Sequence, residues 1–475
     1  MTTDIPTFAN VVVVGAGIAG LSAAVSAAES LQDTGGTVLL VDQAPEREAG
    51  GNTRWTSAYL RLDDVYDTGP DFVNDVVAFS GGRTDVKYVE QLADLLPETM
   101  DWAQGHGMRF RRQATYFINS VRKRQQPVGG GEAMLRALTD AARQLGVIER
   151  YDSRALRLDR SVDGSITGLF VVHDGREYYV AADAVIIASG GFGGDPERLE
   201  RALGPGGGDL LPIAPGGAWN RGDGIDMAIE AGAARDGQWD GFHAEPVDPR
   251  SDHPESIVMV FPYGIVVDRR GQRFFDEGHG TVDETYESFA RLAWKRDGGI
   301  VYFITDQQFL KVDDRARGVL SPLPPLSADS IDELALALDV PADALRETIT
   351  SFNAATHDGA FDWRVPDGLS TSGIEPVKSN WALPITDPPY LAYPISCSIV
   401  FTFGGIRVDV DSRVLRDDGL PLDGLYAAGE CTGIYFGKYP GGTSVLRGMV
   451  FGKVAGRRAA ERSLARSRPG VDAAN

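Results

Sequence analysis

The stretch that most constrains this chain is VVVVGAGIAGLSAAVSAAESLQDTGGTVLLVD, residues 11–42. An apolar run of strand length ends in Gly15-Ala16-Gly17-Ile18-Ala19-Gly20. An alanine-rich helical pattern follows, and a second apolar run closes on Asp42. A lone GxGxxG is a weak signal, but strand, glycine turn, helix and strand in this order form a βαβ unit that binds a dinucleotide. Gly15 permits the tight turn, Gly17 lets the backbone approach a pyrophosphate, and Gly20 allows close helix–strand packing. The helix N-terminus offers free N–H groups and the positive end of its dipole to phosphates. Asp42, an acid about 20 residues past the glycines, is placed to accept the ribose hydroxyls.

At 475 residues the chain is long enough for two domains. Its net charge of −21 argues against non-specific nucleic-acid binding and against docking on anionic lipid. Cys397 and Cys431 lie far apart without a CxxC or metal-ligand spacing, which fits packed thiols in a reducing cytoplasm. The opening MTTDIPTFAN lacks the basic start of a secretion signal. The apolar run after it is broken by glycines and reads as strand and helix, not as a membrane span. A cytoplasmic protein with no membrane and no nucleic-acid partner is expected. No CxxCH occurs, so no covalently attached c-type haem is expected.

Segments of the nucleotide domain recur along the chain. Residues 184–194, AVIIASGGFGG, read as a buried strand entering a glycine turn, and residues 424–430, GLYAAGE, as a short strand ending at Gly429-Glu430. From Leu446 to about Arg466 the spacing is helical, with basic residues suited to a helix C-terminus. One domain therefore draws on both ends of the chain: 1–235 and 375–475 form it, and 236–374 is an insertion. The insertion holds a strand-like run, GIVVDRRGQRFFDEG (264–278), and two helices punctuated by Pro341, the second opening at Ala342. GPGGGD (204–209) reads as a flexible loop.

The Gly15–Gly20 fingerprint, Gly50-Gly51-Asn52-Thr53, Gly129-Gly130-Gly131, NRGDGIDMA (220–228), GIVVDRRGQRFFDEG and GLYAAGE fall in that order. Together they resemble the flavoproteins related to fumarate reductase, 3-oxosteroid dehydrogenases and tricarballylate dehydrogenase. The resemblance implies an α/β fold: a Rossmann-like FAD-binding domain of glutathione-reductase type, with an inserted α+β domain capping the flavin. It places Gly15, Ala16, Gly17 and Gly20 at the pyrophosphate and Asp42 at the adenosine ribose. Gly50, Gly51, Asn52 and Thr53 fall near the flavin, and Glu430 on its ribityl chain. Gly190, Asp223, Gly429, Ser444 and Val445 complete the cofactor contacts. Covalent-flavin relatives carry a histidine shortly after the residues matching Gly50-Gly51. This chain has Arg54-Trp55-Thr56 there, so non-covalent FAD is expected.

The departures from that family bear on substrate. Fumarate reductases present a proton-delivering arginine where this chain has Thr281, a position facing substrate. They have a histidine before a Thr-x-Gly-Gly turn where this chain reads Val400-Phe401-Thr402-Phe403-Gly404-Gly405. A substrate-binding arginine is replaced by Tyr439. A dicarboxylate bound without those groups would be desolvated and poorly paired, which argues against fumarate reduction. Tyr439-Pro440-Gly441-Gly442 instead resembles the Tyr-Pro-Gly segment of 3-oxosteroid dehydrogenases. The resemblance makes Tyr439 a donor to a ketone oxygen, helped by a backbone N–H of Gly442 or Thr443.

A tyrosine serves as base in the steroid enzymes at the position of Thr281 and is absent here. His279 and Tyr116 are the candidates to take the α-proton. His243 matches a substrate-facing histidine of fumarate reductases. The other histidines, at 106, 173, 253 and 357, read as surface. Arg109, Arg111, Arg112, Arg122, Lys123 and Arg124 form a basic run in an acidic chain, and Arg54 and Arg61 follow the flavin-proximal glycines. Arginines there suit a bidentate clamp on a carboxylate, and Arg447 is a further candidate for the pocket. Phe401, Phe403 and Tyr435-Phe436 would line its apolar side. These residues suit an FAD-dependent dehydrogenase that places a C=C bond beside the carbonyl of a cyclic ketone, either a small oxo-cycloalkane carboxylate or a steroid-like ketone. The alternatives are a tricarballylate-type carboxylate dehydrogenase, an ene-reductase and a flavin-binding subunit without turnover. An external electron acceptor is required in the dehydrogenase readings, and the sequence does not name it.

Overall fold

The computed structural model describes residues 5–466 apart from Gln113 and Val121. The chain divides into two compact units. One comprises Met1–Gln113, Lys123–His243 and Val400–Asn475; the other comprises Ala114–Arg122 and Ala244–Ile399. The second unit thus runs to Ile399, beyond the boundary at 374 expected from sequence. The reason is the strand Tyr390–Thr402, whose residues Leu391–Ser396 pair antiparallel with Ile300–Thr305.

In the first unit the main sheet runs in the order Arg413–Leu415, Pro421–Ala427, Arg176–Ile187, Phe8–Val14, Val38–Val41, Ile148–Arg150. All neighbours from the second of these onward are parallel, with Leu425 opposite Val185, Val11 opposite both Ala184 and Val38, and Leu39 opposite Ile148. Strands covered on both faces cannot alternate polar and apolar residues, so VVVV, VLLV and AVII read as unbroken apolar runs. This is the α/β dinucleotide-binding architecture expected from the sequence. The C-terminal ends Val14, Val41, Ile187 and Ala427 emerge along one edge, where open parallel sheets bind ligands. The buried helix Ile18–Leu31 packs against the closing helix Ser444–Arg466, which starts two residues before the expected Leu446.

The second unit has its core around Ile265, Val267, Ile304, Leu334, Leu345 and Phe352. The predicted helix pair is present as Ile331–Leu338 and Ala342–Ala355, the first capped by the Ser330 hydroxyl accepting from the Glu333 N–H. Of the strand-like run 264–278, only Ile265–Val267 is strand. The chain turns at Asp268–Gln272, and Arg273 returns to a single bridge with Val267. That return brings Arg273 onto Glu277, a buried ion pair at 2.6 Å. The expected flexible loop at 204–209 is a 3-10 turn over Gly207–Asp209, fastened by the Gly208 N–H donating to Glu200 Oε2 at 3.0 Å. Among the described residues no helix is long and apolar enough to cross a membrane.

Candidate cofactor and substrate site

The glycine turn behaves as its spacing requires. Gly15 has φ +107°, and a Cβ at Gly20 would stand 1.8 Å from the Gly15 carbonyl oxygen. A Cβ at Gly17 would meet nothing nearer than 3.7 Å, so the protein leaves open the space that the spacing assigns to a ligand. The helix begins at Gly17 with no side-chain cap, which leaves first-turn N–H groups available to an anion. Asp42 joins the two strand ends, its Oδ2 accepting from Ala16 N–H at 2.7 Å and its Oδ1 from Ala44 N–H at 2.8 Å. Burial pushes its carboxyl up, and those two N–H groups oppose the shift.

A cleft with an empty volume of about 1220 Å³ opens at this edge. Gly15, Ala16, Gly17, Asp42, Gly50, Gly51, Asn52, Thr53, Gly190, Asp223, Gly429, Glu430, Ser444 and Val445 all line it; Gly20 packs behind. Glu430 is held by Thr402 N–H at 3.0 Å and by Asn220 Nδ2 at 3.2 Å, and burial pushes its carboxyl up to about 7. Asp223 accepts from Arg154 Nη2 at 2.8 Å. Asn220 and Thr402 lie in motifs noted in the sequence, but neither they nor Arg154 carried a signal for these particular contacts, each of which spans a long chain separation.

Beside the cleft, Phe401, Phe403, Tyr435 and Tyr439 form one buried aromatic cluster. The His243 ring packs on Tyr439 at 4.4 Å and on Phe401 at 5.1 Å between centroids. Phe436 instead carries the Arg83 guanidinium over its ring at 4.9 Å. The Tyr439 hydroxyl accepts from the backbone N–H groups of Thr443 and Ser444, both at 2.9 Å, and donates to Ser444 Oγ at 3.0 Å. Sequence placed Tyr439 beside the amides of Gly442 and Thr443, and they do lie together. However, the Thr443 N–H points at the phenol, while the Gly442 N–H makes no hydrogen bond among the described residues.

The arginines divide. Arg54 donates through Nε to the Ala49 carbonyl at 2.6 Å and faces Glu132 at 3.8 Å. Arg61 is buried, donating to the Pro440 carbonyl at 2.6 Å and pairing with Asp75. Arg124 is buried with its guanidinium 3.1 Å from where a Cβ on Gly441 would sit. Two members of the basic group thus flank the Tyr-Pro-Gly-Gly turn, while Arg109, Arg111 and Arg112 are exposed or turned to backbone carbonyls. Arg447 is 2% exposed and lines the cleft, donating to the Gly429 carbonyl at 3.0 Å and to Thr432 Oγ1 at 2.7 Å.

Three predicted residues belong to the second unit. Tyr116 donates to Glu245 Oε1 at 3.3 Å. His279 is exposed, and its Nδ1 meets the Asp276 carbonyl at 2.7 Å. A carbonyl only accepts, so Nδ1 is the donor in this contact. Thr281 caps the helix Val282–Trp294 in a reciprocal box with Glu284. Of the four histidines read as surface, His253 and His357 are exposed, while His106 and His173 are half-buried against Glu29 and Ser153.

The family model described as FAD binding domain matches residues 10–446. This chain belongs to that family. The expected resemblance to the fumarate reductase flavoproteins stands, and FAD is the cofactor. The chain is 29% identical over 474 residues to a probable fumarate reductase of Shewanella frigidimarina, covering 96% of this chain and 75% of the relative. It is 29% identical over 456 residues to 4-oxocyclohexanecarboxylate 2-dehydrogenase of Sinomonas cyclohexanicum, covering 85% of this chain and 76% of the relative. Among solved structures, the open conformation of a flavocytochrome c3 fumarate reductase superposes with a TM-score of 0.78 at 27% identity, covering 96% of this chain and 79% of that one.

The cleft residues fit FAD on their own terms. Asn52 Oδ1, Ser189 Oγ and Arg447 Nε are buried, lie on cleft-lining residues and have no hydrogen-bond partner among the described residues. Buried polar atoms are normally satisfied, so three such atoms around one cleft mark the donors and acceptors of a polar ligand.

Proposed function

We propose that this FAD-binding protein is a dehydrogenase acting on CH–CH groups, which places a C=C bond beside the carbonyl of a small cyclic keto acid. One observation carries the reading: the Tyr439 phenol is fixed by two N–H groups at the start of the closing helix, and the preceding residue, Gly442, has an N–H with no hydrogen bond among the described residues. Two donors in that arrangement suit a ketone oxygen that gains negative charge as the neighbouring C–H loses its proton. The N–H bonds into the phenol oxygen strengthen its O–H as a donor, since chained hydrogen bonds polarise one another.

Phe401, Phe403 and Tyr435 supply an apolar wall for a ring, and His243 lies against it. Arg124, buried by the same turn, suits a carboxylate on the substrate and favours a keto acid over a neutral steroid, while Arg61 is taken up by Asp75 and the Pro440 carbonyl. The similarity to an oxocyclohexanecarboxylate dehydrogenase supports the same substrate class. FAD supplies a hydride acceptor for the β-carbon, so proton and hydride leave adjacent carbons and the C=C bond forms. The proton requires a base, for which Tyr116, hydrogen-bonded to Glu245, and His279 are the candidates.

Anaerobic mixing of the purified flavoprotein with candidate substrates tests the proposal. A 4-oxocyclohexanecarboxylate should bleach the oxidised flavin band, and tricarballylate should not. Bleaching by tricarballylate alone would replace the reading with a carboxylate dehydrogenase. Reoxidation of the dithionite-reduced protein by fumarate, without bleaching by any ketone, would make it an ene-reductase.

A further inference from the structure

Arg61 reaches the Tyr-Pro-Gly-Gly turn at two points. Its guanidinium donates to the Pro440 carbonyl at 2.6 Å, and its backbone N–H donates to the Gly442 carbonyl at 2.8 Å. The side chain is buried, and the helix Phe72–Phe79 holds it through an ion pair with Asp75 and through the Phe79 ring, 5.8 Å from the guanidinium carbon. The approach is close enough to dictate a residue of the turn. A Cβ on Gly442 would stand 2.8 Å from the Arg61 nitrogen, and Gly442 has φ +68°.

Both contacts bear on the phenol through peptide geometry. In a trans peptide the C=O and N–H of one plane point in opposite directions. The Gly442 carbonyl and the Thr443 N–H share such a plane. The bond from Arg61 at one edge therefore fixes the N–H that meets the Tyr439 hydroxyl at 2.9 Å at the other. A continuous chain results: Arg61 N–H to Gly442 carbonyl, Thr443 N–H to phenol oxygen, phenol O–H to Ser444 Oγ. Hydrogen bonds in series polarise one another, so each link strengthens the phenol as a donor. The guanidinium meanwhile pins the carbonyl of Pro440, the residue directly after Tyr439, with a charge-assisted bond.

We infer that Arg61 is the positioning residue of this turn, holding the Tyr439 hydroxyl where it meets a ketone oxygen, without itself touching the substrate. The inference rests on the reading of Tyr439 as the donor to that oxygen. Gly441 and Gly442 both have φ +68°, and two consecutive glycines give a turn little stiffness of its own. A misplacement of about 1 Å at a reacting group can cost roughly 100-fold in rate. Arg61 therefore acts on the rate of the chemical step and leaves substrate affinity alone.

The test mixes the flavin-loaded parent, R61M, Y439F and the double variant anaerobically with 4-oxocyclohexanecarboxylate in a stopped-flow spectrophotometer. R61M should lower the limiting rate of flavin bleaching about 10- to 100-fold, with the half-saturating concentration within about threefold of the parent. In the Y439F background the same change should cost less than about threefold, because the group it positions is gone. A second readout needs no substrate. In protein grown with fluorotyrosine, the fluorine resonance that Y439F removes should move in R61M, while resonances of remote tyrosines stay. If R61M fails to hold flavin, R61K carries both comparisons, since it keeps a charge beside Asp75 but loses the guanidinium fork. A Tyr439 resonance that stays in place overturns the inference whatever the reaction. So does a rate loss of equal size with and without the phenol, or a rise in half-saturating concentration alone, which would make Arg61 a ligand of the substrate carboxylate. Should Y439F bleach as fast as the parent, or no ketone bleach the flavin at all, the proposed reaction falls, and the fluorine resonance alone decides whether Arg61 holds the phenol.

Discussion

The Tyr439 hydroxyl and Ser444 are joined twice: the phenol accepts from the Ser444 N–H at 2.9 Å and donates to its Oγ at 3.0 Å. The ring hydroxyl is thereby parked at the start of a 23-residue helix with its proton on a movable acceptor. A ketone oxygen that displaces Ser444 Oγ would receive that proton in a hydrogen bond. Tyr439→Phe should then slow flavin bleaching by substrate about 100- to 1,000-fold at unchanged flavin content. Ser444→Ala, which leaves the phenol and both N–H groups, should cost less than tenfold. Stopped-flow absorbance of the flavin band measures both, and a Phe variant within a few-fold of the parent removes the oxyanion role.

Glu430 makes a pH prediction for flavin-free protein. Its carboxyl is pushed from the ordinary range up to about 7 by burial, so between about pH 4.5 and 7 the folded state holds more protons than the unfolded state. Stability from this group is fully present below about pH 4.5 and is lost as pH rises through 7. The loss is on the order of 3 kcal/mol. Glu430→Gln should flatten that part of the melting-temperature profile; an unchanged slope would assign the titration elsewhere.

Packing predicts the outcome at Gly20. A methyl group there would overlap the Gly15 carbonyl, and neither the strand nor the helix has room to yield. Gly20→Ala should cost about 3 kcal/mol or more and release FAD, seen as a lower melting temperature and colourless protein.

The buried pair Arg273–Glu277 predicts a loss in the second unit. Arg273→Met leaves the Glu277 carboxylate, 0% exposed in its side chain, without its cation. That should cost about 3–5 kcal/mol in thermal or urea unfolding, whereas a double change of Arg273→Met with Glu277→Leu should recover much of it.

Arg54-Trp55-Thr56 offers no imidazole for attachment of the ring. Acid precipitation should leave all the yellow flavin in the supernatant, and a yellow pellet would contradict non-covalent binding.

The nucleotide half of the molecule was legible because its signals are local. A strand, three glycines, a helix and Asp42 lie within a few dozen residues, and parallel burial leaves apolar runs that cannot be missed. Interactions between distant segments left no such trace. Glu430 takes its partners from Thr402 and Asn220, and the Tyr-Pro-Gly-Gly turn is flanked by Arg61 and Arg124 from far upstream. Phe436 was grouped with Tyr435 by adjacency, yet successive residues in an extended segment point to opposite sides, and it turned to Arg83. Thr281 also carried a local signal of another kind: Thr-x-x-Glu is a helix-capping pattern, and the structure uses it as one.

Asn10 donates to Ser463 Oγ at 2.9 Å, a contact between the first strand and the last helix. The cleft that begins at Val14 is completed only by Gly448. A nascent chain therefore cannot assemble its flavin site until Gly448 has been made, and a stop anywhere upstream of it leaves the cleft without a wall. With first strand and last helix already side by side, a short linker between them and new ends opened at an exposed turn should give a circular permutant that still turns yellow.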